Sequence, residues 1–142
     1  MKLKLFLPVI FAVLALSSCT KYTDNYVEPE VFSKRFTVLR SDWSKSSDDS
    51  GLYYYCQFRV PELTNEVYNY GALNAYLVYS PENVEVLTPL PFNDYWVDNG
   101  YMWTEQVTCE FSPGYVTFIL KPSDHADAEP YYDYDFLVRF LW

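Results

Sequence analysis

The chain has 142 residues, a formal charge of −9, 50% apolar and 20% aromatic residues, one His, four Gly and three Cys. Its length fits one ordinary domain and leaves no room for a second catalytic one. One His and three Cys are too few for a His-rich metal centre or a disulfide-dense scaffold, and four Gly too few for a glycine-rich phosphate cradle. The 19 acids outnumber the 10 bases and no basic run is present, which argues against nucleic acid and anionic headgroups as partners. No cofactor and no metal is expected.

Residues 1–18 read as a signal peptide: Lys2 and Lys4 precede an apolar run from Leu5 to Leu16. As a helix that run rises about 18 Å, short of the roughly 30 Å of bilayer hydrocarbon. Leu16-Ser17-Ser18-Cys19 resembles the bacterial lipobox, which implies attachment of diacylglycerol to the Cys19 sulfur, cleavage before it, and a protein anchored to the membrane without spanning it. An ordinary secretory cleavage site beside a chance Cys is the plainer alternative. Loss of residues 1–18 removes two lysines and no acid, so the remaining chain is still more acidic. Residues 19–33 lack sustained periodicity and are expected to form the lipidated Cys and a flexible tether, with one domain over 34–142.

From there the period is two and β-formers abound. Strands are expected over Arg35–Arg40, Leu52–Val60, Ala72–Tyr79, Val84–Leu87, Tyr101–Phe111, Tyr115–Leu120 and Tyr134–Trp142. Alternation assigns Leu52, Tyr54, Cys56, Phe58 and Val60 to the core, sets Trp103, Glu105, Val107, Cys109 and Phe111 on one side of their strand, and Tyr134, Phe136, Val138, Phe140 and Trp142 on one face of theirs. Ser41–Gly51 reads as a loop of turn formers. Pro61 to Gly71 reads as a short helix with Leu63, Val67 and Tyr70 on its buried face and Gly71 as its C-terminal cap. Ser80-Pro81-Glu82-Asn83 predicts a hairpin turn, and Ser112-Pro113-Gly114 another, Pro presetting one φ and Gly allowing the positive φ after it. The expected fold is all-β, an antiparallel sandwich of about seven strands with one short helix, and one mixed pairing allowed across that helix. A small closed barrel is the alternative.

The chain also resembles a group of small lipoproteins of Bacteroidota built from a lipobox, a short tether and one β-rich domain. The likeness rests on Asp42-Trp43, the Tyr53-Tyr54-Tyr55 run entering Val60-Pro61-Glu62-Leu63-Thr64, the helix ending at Gly71, Leu90-Pro91-Phe92, Phe111-Ser112-Pro113-Gly114 before Val116-Thr117-Phe118, and the terminal strand. It implies architecture and location, and no activity. Surface-exposed members carry an acidic cluster after the lipidated Cys; here Asp24 stands alone beside Lys21, which points to the periplasmic face of the outer membrane.

Four sets of residues are candidates for chemistry. His125 in Ser123-Asp124-His125 invites a catalytic reading, but adjacent residues on an extended loop point different ways and no nucleophile elbow is present. Asp124, Asp127, Glu129, Asp133 and Asp135 lack the spacing of a calcium loop and read as a solvated acidic segment. Cys56 and Cys109, both inward-facing, would contribute about 4 kcal/mol as a disulfide if their geometry allowed it, and otherwise act as small apolar side chains. In the aromatic stretch Phe92–Trp103, Tyr95, Trp96 and Tyr101 lie among Asn93, Asp94, Asp98 and Asn99, the composition of a sugar-binding loop. A structural cap over the sandwich end, with Trp103 in the core, is the competing reading.

The leading expectation is therefore a non-enzymatic binding or structural module on the envelope, with a partner protein or a glycan as ligand. A small glycan hydrolase using carboxylates among Asp94, Asp98, Glu105 and Glu110 is the alternative from another class; it needs two carboxyls about 5 to 9 Å apart across a cleft. The terminal strand, if it lay at a sheet edge, would also offer pairing to a second chain.

Overall fold

The computed structural model describes residues 30–124 and 130–142. The leader, Cys19 and most of the expected tether thus lie outside the described residues, as do His125, Asp127 and Glu129.

Two antiparallel sheets face each other. The four-stranded sheet has the order β1-β9-β4-β5, with β1 Val31–Val38, β4 Ala72–Tyr79, β5 Val86–Pro89 and β9 Tyr134–Leu141. The five-stranded sheet has the order β2-β3-β8-β7-β6, with β2 Ser44–Asp48, β3 Gly51–Arg59, β6 Phe92–Asp98, β7 Tyr101–Ser112 and β8 Tyr115–Pro122. The sheets are separate, so the sandwich stands and the closed barrel does not. Every pairing is antiparallel, and the mixed pairing allowed for is absent among the described residues.

Two of the strands were not expected. Ser44–Asp48 (SKSSD) has no β-former, and the edge of the Tyr-rich β3 recruits it as β2, a case of pairing overriding propensity. The other, β6, lies in the stretch expected to be an aromatic loop. The first strand begins at Val31, not Arg35, because it pairs along the whole of β9 from Val31 opposite Leu141 to Val38 opposite Tyr134. Conversely, β9 is flanked by β1 and β4, so the edge pairing imagined for the terminal strand has no free edge to use.

The inner faces alternate as expected through most of their length; Trp142, placed on the same face as Phe140, lies beyond the end of β9 and is 40% exposed. Phe118 of β8 is fully buried and stacks on Phe136 of β9 across the sandwich, centroids 3.9 Å apart and planes 9° apart. Phe36 and Phe58 meet the same ring at 5.7 and 6.1 Å, and Val38, Val60, Val107, Val116, Leu120, Val138 and Phe140 complete the centre. Apolar area removed from water at about 25 cal/mol per Å² is what holds these faces together.

The short helix, α1 (Asn65–Tyr70), closes one end. The Thr64 hydroxyl caps it by accepting from the Val67 N–H at 3.2 Å, and Leu63 and Val67 plug the core. Tyr70, expected on the buried face, is 85% exposed, because the helix starts only at Asn65 and ends before a third apolar position comes round. Gly71 is the C-cap as expected, but for a different reason. Its φ is −83°, open to any residue; a Cβ there would lie 2.6 Å from the Val67 carbonyl oxygen and 3.0 Å from that of Leu141.

Candidate functional site

At the other end of the sandwich β6 and β7 form a hairpin whose tip is Asn99-Gly100, both with positive φ (48° and 83°). That is the backbone of a two-residue primed turn, and Asn-Gly is its best sequence. The register sets Trp96 opposite Trp103, Asp94 opposite Glu105 and Phe92 opposite Val107 on the inner face. Tyr95, Val97 and Met102 fall on the outer face, so Tyr95, 76% exposed, is separated from Trp96 by the alternation of its own strand. The set Tyr95, Trp96, Tyr101 is corrected accordingly: Tyr95 does not belong with the other two.

The inner face carries a run of near-parallel rings. Tyr101 meets Trp103 at 6.0 Å and 30°, Trp103 meets Trp96 at 6.2 Å and 16°, and Trp96 meets Tyr132 at 5.4 Å and 20° and Tyr131 at 6.5 Å and 27°. Two outside segments hold its ends. Ser123 exchanges hydrogen bonds with the Thr104 backbone at 2.8 Å each, which brings Asp124 within 3.4 Å of the Tyr101 hydroxyl. The segment bearing Tyr131 and Tyr132 is pinned by Arg40, whose Nε donates to the Pro130 carbonyl at 3.1 Å and whose backbone N–H donates to Asp133 at 2.8 Å. Tyr101, Tyr131 and Tyr132 remain largely exposed, while Trp96 and Trp103 are half-buried between them.

Beneath the two indoles lies Glu105, the one buried charged side chain among the described residues at 8% exposure. Trp103 Nε1 donates to its Oε1 over a long 3.5 Å. Burial pushes the Glu105 carboxyl above the usual carboxylate range, and the nearby Asp94 and Asp124 charges push the same way, while the indole N–H groups of Trp103 and Trp96 oppose them. The Tyr134 hydroxyl faces the same carboxyl, and its pKa too is raised, first by burial and then by the Glu105 and Asp94 charges. A hollow of about 210 Å³ opens at the foot of the rings, lined by Asp94, Tyr132, Asp133, Tyr134, Asp135 and Val107 among others.

No family model, no curated protein and no solved structure matches the chain.

The carboxylates of the hydrolase alternative are dispersed. Asp94 and Glu105 are neighbours on one wall, Asp98 is at the exposed hairpin end, and Glu110 lies on the opposite face of β7. They do not flank a cleft. The acidic segment is likewise divided among separate tasks: Asp133 accepts from Arg40, Asp135 accepts from the Thr37 hydroxyl at 2.6 Å, and no metal-holding cluster of three occurs among the described residues.

Cys56 and Cys109 are free, and the register explains why. Both stand opposite Phe118, one on each side of β8, so two strand spacings of about 4.8 Å and the Phe118 ring separate them, beyond the roughly 7 Å Cα separation a bridge allows. Burial pushes the Cys109 thiol up to about 12, with the Glu110 charge adding to it, so it stays protonated and unreactive. It lines a second hollow, of about 340 Å³, with Leu73, Leu90 and Phe111, where β5 stops short; that hollow carries no carboxylate or base.

Sequence reasoning missed Tyr131 and Tyr132, which no period marks out because they precede β9 in an irregular segment. It also passed over the Asn99-Gly100 signal, which by itself would have paired Trp96 with Trp103.

Proposed function

We propose that this protein is a lipid-anchored, extracytoplasmic binding module, without catalytic chemistry of its own, that holds a neutral glycan against the rings of Tyr101, Trp103, Trp96, Tyr131 and Tyr132. The observation that carries the reading is the group of five aromatic side chains at one end of a rigid sandwich, near-parallel from Tyr101 through Trp103 and Trp96 to Tyr132, with Tyr131 tilted 47° to Tyr132. Such a surface covers the apolar faces of successive pyranoses, and the carboxylates beside it take their hydroxyls. Those carboxylates, Asp94, Asp98 and Asp124, with Glu105 beneath, favour a neutral polymer over one bearing uronate or sulfate. The lipobox at Cys19 supports anchoring to the outer membrane, and the lone Asp24 supports its periplasmic face.

A thermal-shift screen of neutral and uronate-containing polysaccharides tests this. A saturable rise in melting temperature with a neutral glycan, and none with polyuronate, is the expected outcome, since a ligand that binds only the native state stabilises it. A rise with polyuronate alone contradicts it.

An envelope protein as partner is the second reading. It rests on Tyr95, Val97 and Met102, exposed at 76%, 68% and 72% on the outer face of the hairpin, whose β6 is an edge strand.

A further inference from the structure

A charged side chain buried on the core face of a sandwich costs stability, and among the described residues Glu105 has no ion-pair partner. Its surroundings show what it gains. Trp103 Nε1 reaches Oε1 at 3.5 Å. Glu105 Oε2 is buried with no hydrogen bond of ordinary geometry, and so is Trp96 Nε1, whose ring lies beside that of Trp103 across the hairpin. The carboxyl is thus an acceptor faced by the Trp96 N–H and by the Tyr134 hydroxyl, and the buried Trp96 N–H has no other acceptor of ordinary geometry; leaving a buried donor unmade is costly.

We propose that Glu105 is the positioning residue of the aromatic surface: its carboxylate gathers the indole N–H groups of Trp103 and Trp96 and so fixes the tilt of the two rings that meet the ligand. Directing both N–H groups inward to one carboxylate turns the hydrocarbon parts of the indoles toward the ligand. It also removes rotamer freedom that the ligand would otherwise have to freeze. The inference rests on the glycan reading only for what the rings meet; the anchoring stands apart from it.

The groups that face this carboxyl are Asp94 on β6, Asp124 after β8, and the hydroxyl of Tyr134 on β9. The two aspartates favour the neutral acid. Protonation turns one of the two acceptor oxygens into a hydroxyl donor, so acidification weakens the hold on one indole.

The test is a pH titration of the uniformly 15N-labelled protein, following the indole N–H signals of its four tryptophans, assigned with Trp96→Phe and Trp103→Phe. The signals of Trp96 and Trp103 should move together with one midpoint above the ordinary glutamate value of 4.5, while Trp43 and Trp142 do not follow. Glu105→Gln, close to isosteric, should abolish the shared movement and weaken binding of a neutral oligosaccharide roughly two- to tenfold at neutral pH. Independent midpoints in the wild type, or a shared movement that persists in Glu105→Gln, overturn the proposal. If Glu105→Gln does not fold, the wild-type titration decides alone. A shared titration in a protein that binds no glycan upholds the anchoring and sinks the glycan reading.

Discussion

Trp96 and Trp103 face each other across the β6–β7 hairpin, ring centroids 6.2 Å apart and planes 16° apart, above the buried carboxyl of Glu105. The proposed recognition surface is built on that pair and on the rigidity of the sandwich that carries it.

The rigidity is centred on Phe118. Because its ring is fully buried and stacked at 3.9 Å on Phe136 of the opposite sheet, Phe118→Ala should destabilise the protein by about 3 to 5 kcal/mol. Val97→Ala, on the exposed outer face, should change stability by no more than about 0.5 kcal/mol. Denaturant unfolding of the two variants measures both.

Two glycines should respond to alanine for different reasons. At Gly71 the added methyl meets backbone oxygens at 2.6 and 3.0 Å, which wedges α1 away from β9 and should cost about 1 to 3 kcal/mol. At Gly100 nothing lies within 4 Å, but φ is +83°, so only the left-handed backbone is penalised, by roughly 1 kcal/mol. Gly100→Ala should also weaken ligand binding, since it loosens the turn that registers Trp96 with Trp103, whereas Gly71→Ala, at the far end, should lower stability alone.

Much of this was legible in the sequence. The alternation through Val107, Phe118 and Phe136 is a property of each strand alone, so period two recovers the core without knowledge of the topology. The relation of Cys56 to Cys109 depends on which strand lies between them, and no local pattern states that both oppose Phe118. The aromatic surface falls between these cases. Trp96, Trp103 and Tyr101 were visible as a cluster, and the Asn99-Gly100 turn would have paired them; Tyr131 and Tyr132 reach the site through Arg40, a contact between segments ninety residues apart. Tyr95 was misassigned for a simpler reason: treating the stretch as a loop discards the alternation that turns it outward.

The thiols give a third prediction. With Cys56 and Cys109 unbridged, a reductant should leave the melting temperature unchanged, and both thiols should react with a maleimide in denaturant. In the native protein Cys109 should resist labelling, because its pKa near 12 leaves almost no thiolate at neutral pH. A melting temperature that falls on reduction contradicts the register-based separation.

Glu105 gives a fourth, in the pH dependence of stability. Its folded pKa lies above the 4.5 of the free side chain, so between the two values the folded chain holds more protons than the unfolded one, and stability falls as pH rises through that window. Asp48 has the opposite sign: hydrogen bonds from Ser50 hold its pKa below 3.8, and its contribution is lost only as pH falls below that value. The windows do not overlap. Glu105→Gln should therefore flatten the slope above pH 4.5 and make the protein relatively more stable at neutral pH, as urea unfolding at a series of pH values will show.

The inner face of the β6–β7 hairpin is the proposed recognition surface. Its most direct test is calorimetric titration of neutral hexasaccharides, among them cellohexaose, laminarihexaose and mannohexaose, into the wild type, Trp96→Ala and Tyr95→Ala. Trp96 and Tyr95 are adjacent in sequence and face opposite ways, so saturable binding should fall tenfold or more in Trp96→Ala and be unchanged in Tyr95→Ala. Binding to none of the sugars, or a loss in Tyr95→Ala that Trp96→Ala does not share, would contradict it.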